Sequence, residues 1–117
     1  MSAMPKPLFL AAGAYTTSFG SGRPEFDPRR PLPGLDHYIR EAGRASLCQT
    51  AGASVVDEGV IGNFMAARFN RQGHLGSLMT VVDPALEGKP MVRVEGACAS
   101  GGLALATAIK TVAGGFA

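Results

Sequence analysis

The chain has 117 residues, of which 46% are hydrophobic and 17% charged, so it is too apolar for a disordered tail and long enough for one small domain. Its net charge is +2 and its basic residues are scattered, which argues against a surface for nucleic acid or anionic membranes. Two cysteines, Cys48 and Cys98, are too few for a disulfide framework, so we expect a reducing, cytoplasmic compartment.

The N-terminal part contains one predicted strand followed by a loop. The apolar run Leu8 to Ala12 lies between Pro7 and Gly13 and predicts a buried β-strand. A secretory signal peptide is the alternative, but the run is short for one and only one positive charge precedes the run closely. Four prolines in residues 20 to 34 exclude a helix or a central strand there and predict a surface loop.

A helix with one buried face is predicted between Gly34 and Gly52, because apolar residues recur there at steps of three and four. The apolar stripe consists of Leu35, Tyr38, Ile39, Ala42, Ala45 and Cys48. Cys48 is therefore expected to be a core residue rather than a reactive thiol.

Two further strands and a short helix are predicted in the second half. Val60 and Ile61 form an apolar pair between glycines and predict the second strand, whereas residues 63 to 76 have no clean period. Leu78 to Val82 predict a short helix that Pro84 limits. The third strand is predicted at Met91 to Val94, where apolar and polar residues alternate after a Gly-Lys-Pro turn.

The C-terminal stretch, residues 96 to 117, contains one charged residue, Lys110. Its helix is predicted after Ser100, is apolar all round, is too short to span a bilayer and is expected inside the fold. Three strands alternating with helices predict an α/β fold with a parallel sheet. Because three short strands hardly cover such a helix on both sides, we expect residues 1 to 117 to be part of a larger layered domain.

Cys98 is the candidate nucleophile, because it lies in the predicted turn between the third strand and the C-terminal helix. A thiol there meets the unpaired N–H groups and positive dipole end of the helix, which favour the thiolate form. The small residues around it leave room for a substrate, and their N–H groups could face a developing oxyanion. A small buried structural cysteine is the alternative, and the spacing alone does not decide between the two.

The stretch VEGACASGG, preceded by GKPMVRVE and followed by an alanine-rich helix, resembles the nucleophile segment of the thiolase superfamily. LFLAAGAYTTSFG and VDEGVIGNFMAARFNRQGHLG resemble the first two strands of that family with their loops, so the resemblance covers roughly residues 7 to 115. It is greatest to thiolases of the sterol carrier protein type and to prokaryotic acetyl-CoA acetyltransferases. Ala99 after the cysteine is less typical of ketoacyl synthases and hydroxymethylglutaryl-CoA synthases.

The resemblance implies a thiolase-like layered α/β fold and acyl transfer between coenzyme A thioesters, as in lipid metabolism, through an acyl intermediate on Cys98. A coenzyme A thioester would be the substrate, with no bound cofactor or metal. The family's histidine base, second cysteine and coenzyme A loop match no segment of residues 1 to 117, so we expect a partial N-terminal domain that does not complete turnover alone. The family's strand pairing across a dimer implies a homo-oligomer formed through Val92 to Val94.

Other candidate sites are weaker. His74 could serve as the base for Cys98, but a histidine in a glycine-flanked loop is more often structural, and His37 is expected to be structural as well. No Cys-x-x-Cys or His-x-x-x-His pair is present for a metal, and Gly20-Ser21-Gly22 does not continue into a dinucleotide fingerprint.

An alternative function belongs to a different class of protein. In it the chain is a non-catalytic, thiolase-like partner subunit that associates with a longer thiolase chain through its strand edge and apolar helix. An apolar helix on so small a body would require such a partner. The acyl chain length, the direction of the reaction and the coenzyme A binding residues stay open at this point.

Overall fold

The computed structural model describes residues 27–31 and 33–117. The strand predicted at Leu8 to Ala12 and the first part of the proline-rich loop lie outside the described residues. The described end of that loop forms a turn in which the Arg30 N–H donates to the Asp27 carbonyl at 3.0 Å. The Asp27 carboxylate also accepts hydrogen bonds from the side chain and the backbone N–H of Arg29, and these bonds hold the pKa of Asp27 below its usual range.

Three α-helices and two β-strands make up the regular structure of the described residues. In chain order they are α1 (Leu35–Leu47), β1 (Gly59–Gly62), α2 (Ala66–Phe69), β2 (Met91–Val94) and α3 (Ser100–Ala113). Short 3₁₀ helices occupy Ala53–Val55, Leu75–Val81, Pro84–Leu86 and Ala97–Ala99. The predicted α/β class is confirmed, whereas the layered arrangement stays a prediction.

The two strands pair in parallel, with Val60 opposite Val92 and Gly62 opposite Val94. Both strands agree with the sequence prediction, and so does their parallel direction. The long crossover between them carries α2 and two of the 3₁₀ helices. Because parallel strands end at the same edge of a sheet, the residues that follow Gly62 and those that follow Val94 leave the sheet side by side.

The core lies between α1 and the crossover. Ala53, Val82 and Leu86 are buried together, and half-buried apolar side chains pack around them. Those side chains belong to Ile39, Leu47, Val56 and Met91. Helix α1 approaches this core closely at Gly43, where a Cβ atom would lie 2.5 Å from Cγ2 of Val82.

The predicted burial of Cys48 is wrong, because its side chain is exposed. Helix α1 ends at Leu47 and packs against the core through Ile39, Gly43 and Leu47, so Ile39 of the predicted stripe faces the core whereas Cys48 lies beyond the helix. Ala45 is exposed as well. Small residues such as Gly43 weaken a hydrophobic stripe in the sequence although they permit the closest packing.

The helix predicted at Leu78 to Val82 begins earlier and is wound more tightly. A 3₁₀ helix spans Leu75–Val81, after His74 in the left-handed conformation with φ of 45°. Leu75 is 1% exposed, and a Cβ atom on Gly76 would lie 2.7 Å from the Met91 carbonyl oxygen. A residue with a Cβ atom at position 76 would therefore clash with the backbone of β2.

Lys89 ties the segment after α1 to the turn before β2. Its ammonium nitrogen donates to the carbonyl oxygens of Ala53 at 3.0 Å and Ser54 at 2.9 Å, and also to that of Val56. Three carbonyl acceptors satisfy all three N–H donors of a lysine ammonium. The bonds hold the segment that follows α1 against the turn that precedes β2.

Helix α3 forms where it is predicted, but its burial is not as predicted. Among its residues only Ser100 and Ala104 are buried, whereas Leu103, Leu105 and Val112 are 39%, 50% and 40% exposed. Strands β1 and β2 pack against one side of α3, and among the described residues no other strand or α-helix covers its remaining sides. Within the described ranges, no helix is both long enough and apolar enough to cross a membrane.

Candidate functional site: the turn between β2 and α3

Cys98 lies in the tight turn that carries the chain from β2 into α3. It is the middle residue of the 3₁₀ helix Ala97–Ala99, and this short helix directly precedes α3. The Cys98 side chain is exposed. The preceding residue, Ala97, has φ of 49°, a left-handed conformation that costs an L-residue about 1–2 kcal/mol. Backbone strain of this kind persists only where the surrounding structure enforces it.

Three side-chain hydrogen bonds hold the turn. The Ser100 hydroxyl donates to the Ala97 carbonyl oxygen at 2.7 Å and accepts from the Gly96 N–H at 3.0 Å. The Glu95 carboxylate accepts from the Ala97 N–H at 3.0 Å. Ser100 is 5% exposed, so its two bonds do not compete with water, unlike the bond of the exposed Glu95.

The loop after β1 lies beside this turn. The Asn63 N–H donates to the Val94 carbonyl oxygen at 3.1 Å, and the guanidinium of Arg93 donates to the carbonyl oxygens of Asn63 at 2.8 Å and Phe64 at 3.0 Å. The Asn63 side chain also accepts from the N–H of Ala66, the first residue of α2, at 2.8 Å. Arg93 therefore fixes the loop that shares an edge of the sheet with Cys98.

Sequence reasoning missed the roles of Ser100, Asn63 and Arg93. The alternation at Met91 to Val94 predicts a strand but not the partners of Arg93, which are backbone carbonyls of another loop. Asn63 did carry a local signal, since asparagine side chains commonly accept from backbone N–H groups two or three residues further along the chain. Ser100 carried none, because a serine at the start of a helix does not reveal which backbone groups of the preceding turn it reaches.

Open space surrounds the glycines at the start of α3. A Cβ atom on Gly101 or Gly102 would meet no atom within 4 Å. Packing among the described residues therefore does not require glycine at these two positions. That these glycines leave room for a substrate at Cys98 stays a prediction.

The other candidate residues do not join Cys98. His74 is exposed, its carbonyl oxygen accepts from the N–H and hydroxyl of Ser77, and no hydrogen bond links its ring to the thiol. His37 is half-buried, and its ring packs edge-on against Tyr38 with centroids 5.3 Å apart. Cys48 is exposed at the end of α1. Across the described ranges, no three His, Cys, Asp or Glu side chains are grouped closely enough to hold a metal ion.

The geometry thus gives an exposed thiol at the carboxyl edge of a parallel sheet and at the N-terminal end of a 14-residue helix. In open α/β sheets this edge is where ligands usually bind. The N-terminal N–H groups of a helix favour an approaching anion, including a developing oxyanion. The arrangement suits a nucleophilic cysteine.

Comparison with known proteins gives two relatives. The chain is 43% identical over 81 residues to an acetyl-CoA acetyltransferase of Methanothermobacter thermautotrophicus, a match that covers 67% of this chain. It is 45% identical over 60 residues to an acetyl-CoA acetyltransferase of Methanocaldococcus jannaschii, covering 51% of this chain. The predicted resemblance to thiolase-type acetyltransferases is confirmed.

The relatives are much longer than this chain. The matched stretch covers 20% of the Methanothermobacter acetyltransferase and 15% of the Methanocaldococcus acetyltransferase. No protein-family model matches the chain. Two thirds of the chain therefore correspond to about one fifth of a thiolase-type acetyltransferase.

Proposed function

We propose that this chain supplies the nucleophile segment of a thiolase-type acyltransferase acting on coenzyme A thioesters, with Cys98 as the residue that carries the acyl group. The observation that carries the proposal is the exposed Cys98 thiol in a strained turn at the start of α3. Two relatives named acetyl-CoA acetyltransferase support the choice of substrate. Residues 1–117 would then form part of the N-terminal layered domain of such an enzyme.

The proposed half-reaction is a thioester exchange. The Cys98 thiolate attacks the carbonyl carbon of the acyl-CoA, a tetrahedral oxyanion forms, and the carbon–sulfur bond to coenzyme A breaks. Coenzyme A leaves as a thiolate and takes up a proton, while the acyl group stays on Cys98. The backbone N–H of Cys98 is the proposed oxyanion donor, since it lies next to the helix N-terminus.

The second half of the reaction would transfer the acyl group to a carbanion or return it to coenzyme A. A base is needed for either step. No hydrogen bond joins His74 to Cys98 among the described residues, so the geometry favours no base from this segment. We therefore propose single acylation of Cys98, rather than full turnover, as the activity to measure for residues 1–117.

The test is incubation of the chain with acetyl-CoA, followed by intact mass measurement and peptide mapping. We expect the wild-type chain to gain one acetyl group slowly on Cys98. A Cys98→Ser variant should gain no acetyl group on the peptide that contains position 98, and a Cys48→Ser variant should be acetylated on Cys98 as the wild type is. Cys48 is the matched control because it is the second exposed thiol of the described chain. Acetylation of both cysteines at equal rates, or of neither, would contradict the proposed function.

A second candidate function is association with a longer thiolase chain without catalysis. The observation that favours it is the exposure of Leu103, Leu105 and Val112 on α3, because large apolar side chains left exposed on a helix are typical of an interface with another chain. Co-purification of a longer acetyltransferase with this chain, together with an unreactive Cys98, would support this role in place of the first.

Self-association of this chain is a further part of the proposal. Val92 is 38% exposed on β2, which pairs with β1 alone among the described strands. An unpaired strand edge readily adds another strand. We propose that the edge at Val92 to Val94 forms a homo-oligomer.

A further inference from the structure

Ser100 is a buried polar residue whose side chain contacts the backbone on the N-terminal side of Cys98. It is the one buried polar side chain of the described residues, at 5% exposure. Its hydroxyl bonds to two successive residues, accepting from the Gly96 N–H at 3.0 Å and donating to the Ala97 carbonyl at 2.7 Å. Cys98 lies between these anchored residues and Ser100 itself.

The conformation that the hydroxyl holds is an unfavourable one. Ala97 has φ of 49°, which crowds its Cβ atom against the backbone, and a free chain would leave this conformation. The Ala97 peptide is fixed on both sides, by Ser100 at its carbonyl and by Glu95 at its N–H. Glu95 is exposed, so its bond is exchanged with water more readily than the bonds of Ser100.

The position of Ser100 is itself fixed by packing. A Cβ atom on Gly62 would lie 2.1 Å from the Ser100 carbonyl oxygen, so the first turn of α3 rests directly on β1. The hydroxyl therefore connects the turn that carries the thiol to a helix start whose position the sheet fixes. A residue with no side-chain oxygen at this position would leave the Gly96 N–H without its acceptor and the Ala97 carbonyl with only the backbone N–H of residue 100 as donor.

We propose that Ser100 is a positioning residue for the reaction of Cys98. By holding Gly96 and Ala97, it aims the Cys98 sulfur and its backbone N–H at the same acyl carbonyl. This inference rests on the proposed function and deepens it. Acyl transfer depends on the orientation of both groups, whereas simple alkylation of a thiolate develops no oxyanion and depends on the sulfur alone.

The experiment compares two reagents on the same thiol. With p-nitrophenyl acetate the sulfur–acetyl bond forms and nitrophenolate leaves, and with iodoacetamide the sulfur–carbon bond forms and iodide leaves. For Ser100→Ala we expect acylation of Cys98 to fall about tenfold or more, while its alkylation changes by less than about twofold. Peptide mapping reports Cys48 in the same sample as an internal reference.

The matched control is Ser77→Ala. The Ser77 hydroxyl also donates to the carbonyl three residues earlier, at 2.8 Å, but Ser77 is exposed and lies in a different helix, Leu75–Val81. We expect this variant to leave both rates unchanged. Circular dichroism verifies that each variant is folded. If Ser100→Ala unfolds, the same comparison is made between Ala97→Gly and Ala97→Gly/Ser100→Ala, because glycine adopts this φ without strain.

An equal fall in both reactions, or no fall in either, would overturn the positioning role, since a merely structural serine affects both reagents alike. The probe ester carries no coenzyme A. Failure of wild-type Cys98 to react with acetyl-CoA, alongside normal reaction with p-nitrophenyl acetate, would therefore refute the proposed function without deciding against Ser100.

Discussion

Gly62 at the end of β1 and Ser100 at the start of α3 are in backbone contact: a Cβ atom on Gly62 would lie 2.1 Å from the Ser100 carbonyl oxygen and 2.4 Å from its carbonyl carbon. No side chain separates the strand from the helix there. The contact sets the height of the helix start above the sheet, and with it the location of the Cys98 turn.

Gly62→Ala is expected to destabilise the protein by about 2–3 kcal/mol, because the methyl group meets rigid backbone rather than a flexible side chain. Urea unfolding followed by circular dichroism measures the change. Gly73→Ala is the control, since its Cβ atom would meet no atom within 4 Å. Equal midpoints for the two variants would show that α3 does not rest on β1 in solution.

Gly101→Ala is expected to stabilise α3 by up to about 0.5 kcal/mol, because alanine loses less backbone entropy than glycine in the first turn of a helix and the new methyl group meets open space. The proposed function places the thioester over the start of α3, so we expect the same methyl group to lower the rate of Cys98 acetylation by acetyl-CoA. Thermal unfolding and the acetylation assay report the two effects. A stabilised variant with undiminished acetylation would place the substrate on another side of the thiol.

Lys89→Met removes three hydrogen bonds from the carbonyls of Ala53, Ser54 and Val56. We expect a loss of about 2 kcal/mol in the free energy of unfolding, as is usual for hydrogen bonds to a charged group. Lys110→Met is the control, because Lys110 is exposed on α3, and its effect should stay within about 0.5 kcal/mol. A Lys89 variant as stable as the control would mean that water replaces the lysine at no cost.

Val92→Lys is expected to weaken the proposed self-association, since a charged residue on a strand edge opposes pairing with another strand. Size-exclusion chromatography with light scattering measures the oligomeric state. Val112→Lys on α3 is the comparison, because Val112 is exposed to a similar degree, 40% against 38%. If only the Val112 variant dissociates, the interface lies on helix α3 rather than on the strand edge.

The turn at Asp27 should be sensitive to acid. Hydrogen bonds from the side chain and backbone of Arg29 hold the pKa of Asp27 below its usual range. A carboxyl group with a lowered folded-state pKa stabilises the fold above its unfolded pKa, and this contribution is lost as the pH falls through the folded pKa. Arg29→Gln should raise the pKa of Asp27 part of the way to its usual range, because the hydrogen bond from the backbone N–H of residue 29 stays. NMR titration of the Asp27 carboxyl carbon measures this pKa. No change in the variant would contradict the role of the guanidinium.

The strands and long helices were predictable because their signals are local. Val60 and Ile61 between two glycines, the alternation at Met91 to Val94 and the alanine-rich run after Ser100 each predict one element, and all three are present. The Cys98 turn was also predictable, since a strand that ends in small residues before a helix leaves few places for the intervening cysteine.

The partners across the fold were not predictable. Arg93 reaches the carbonyls of Asn63 and Phe64, and Lys89 reaches those of Ala53, Ser54 and Val56, all far away along the chain. Backbone acceptors are alike at every residue, so no sequence pattern marks which carbonyls a cation will meet.

The sequence by itself determined the α/β class, the parallel strand pair, the place of Cys98 at the start of α3 and the resemblance to thiolases, because periodicity and short motifs depend on neighbouring residues. The tertiary structure alone decided that Cys48 is exposed, that α3 is open on most sides and that Ser100 holds the turn. Burial and hydrogen bonding depend on which surfaces meet when the chain folds, and the contact of Gly62 with Ser100 joins residues that no local pattern connects.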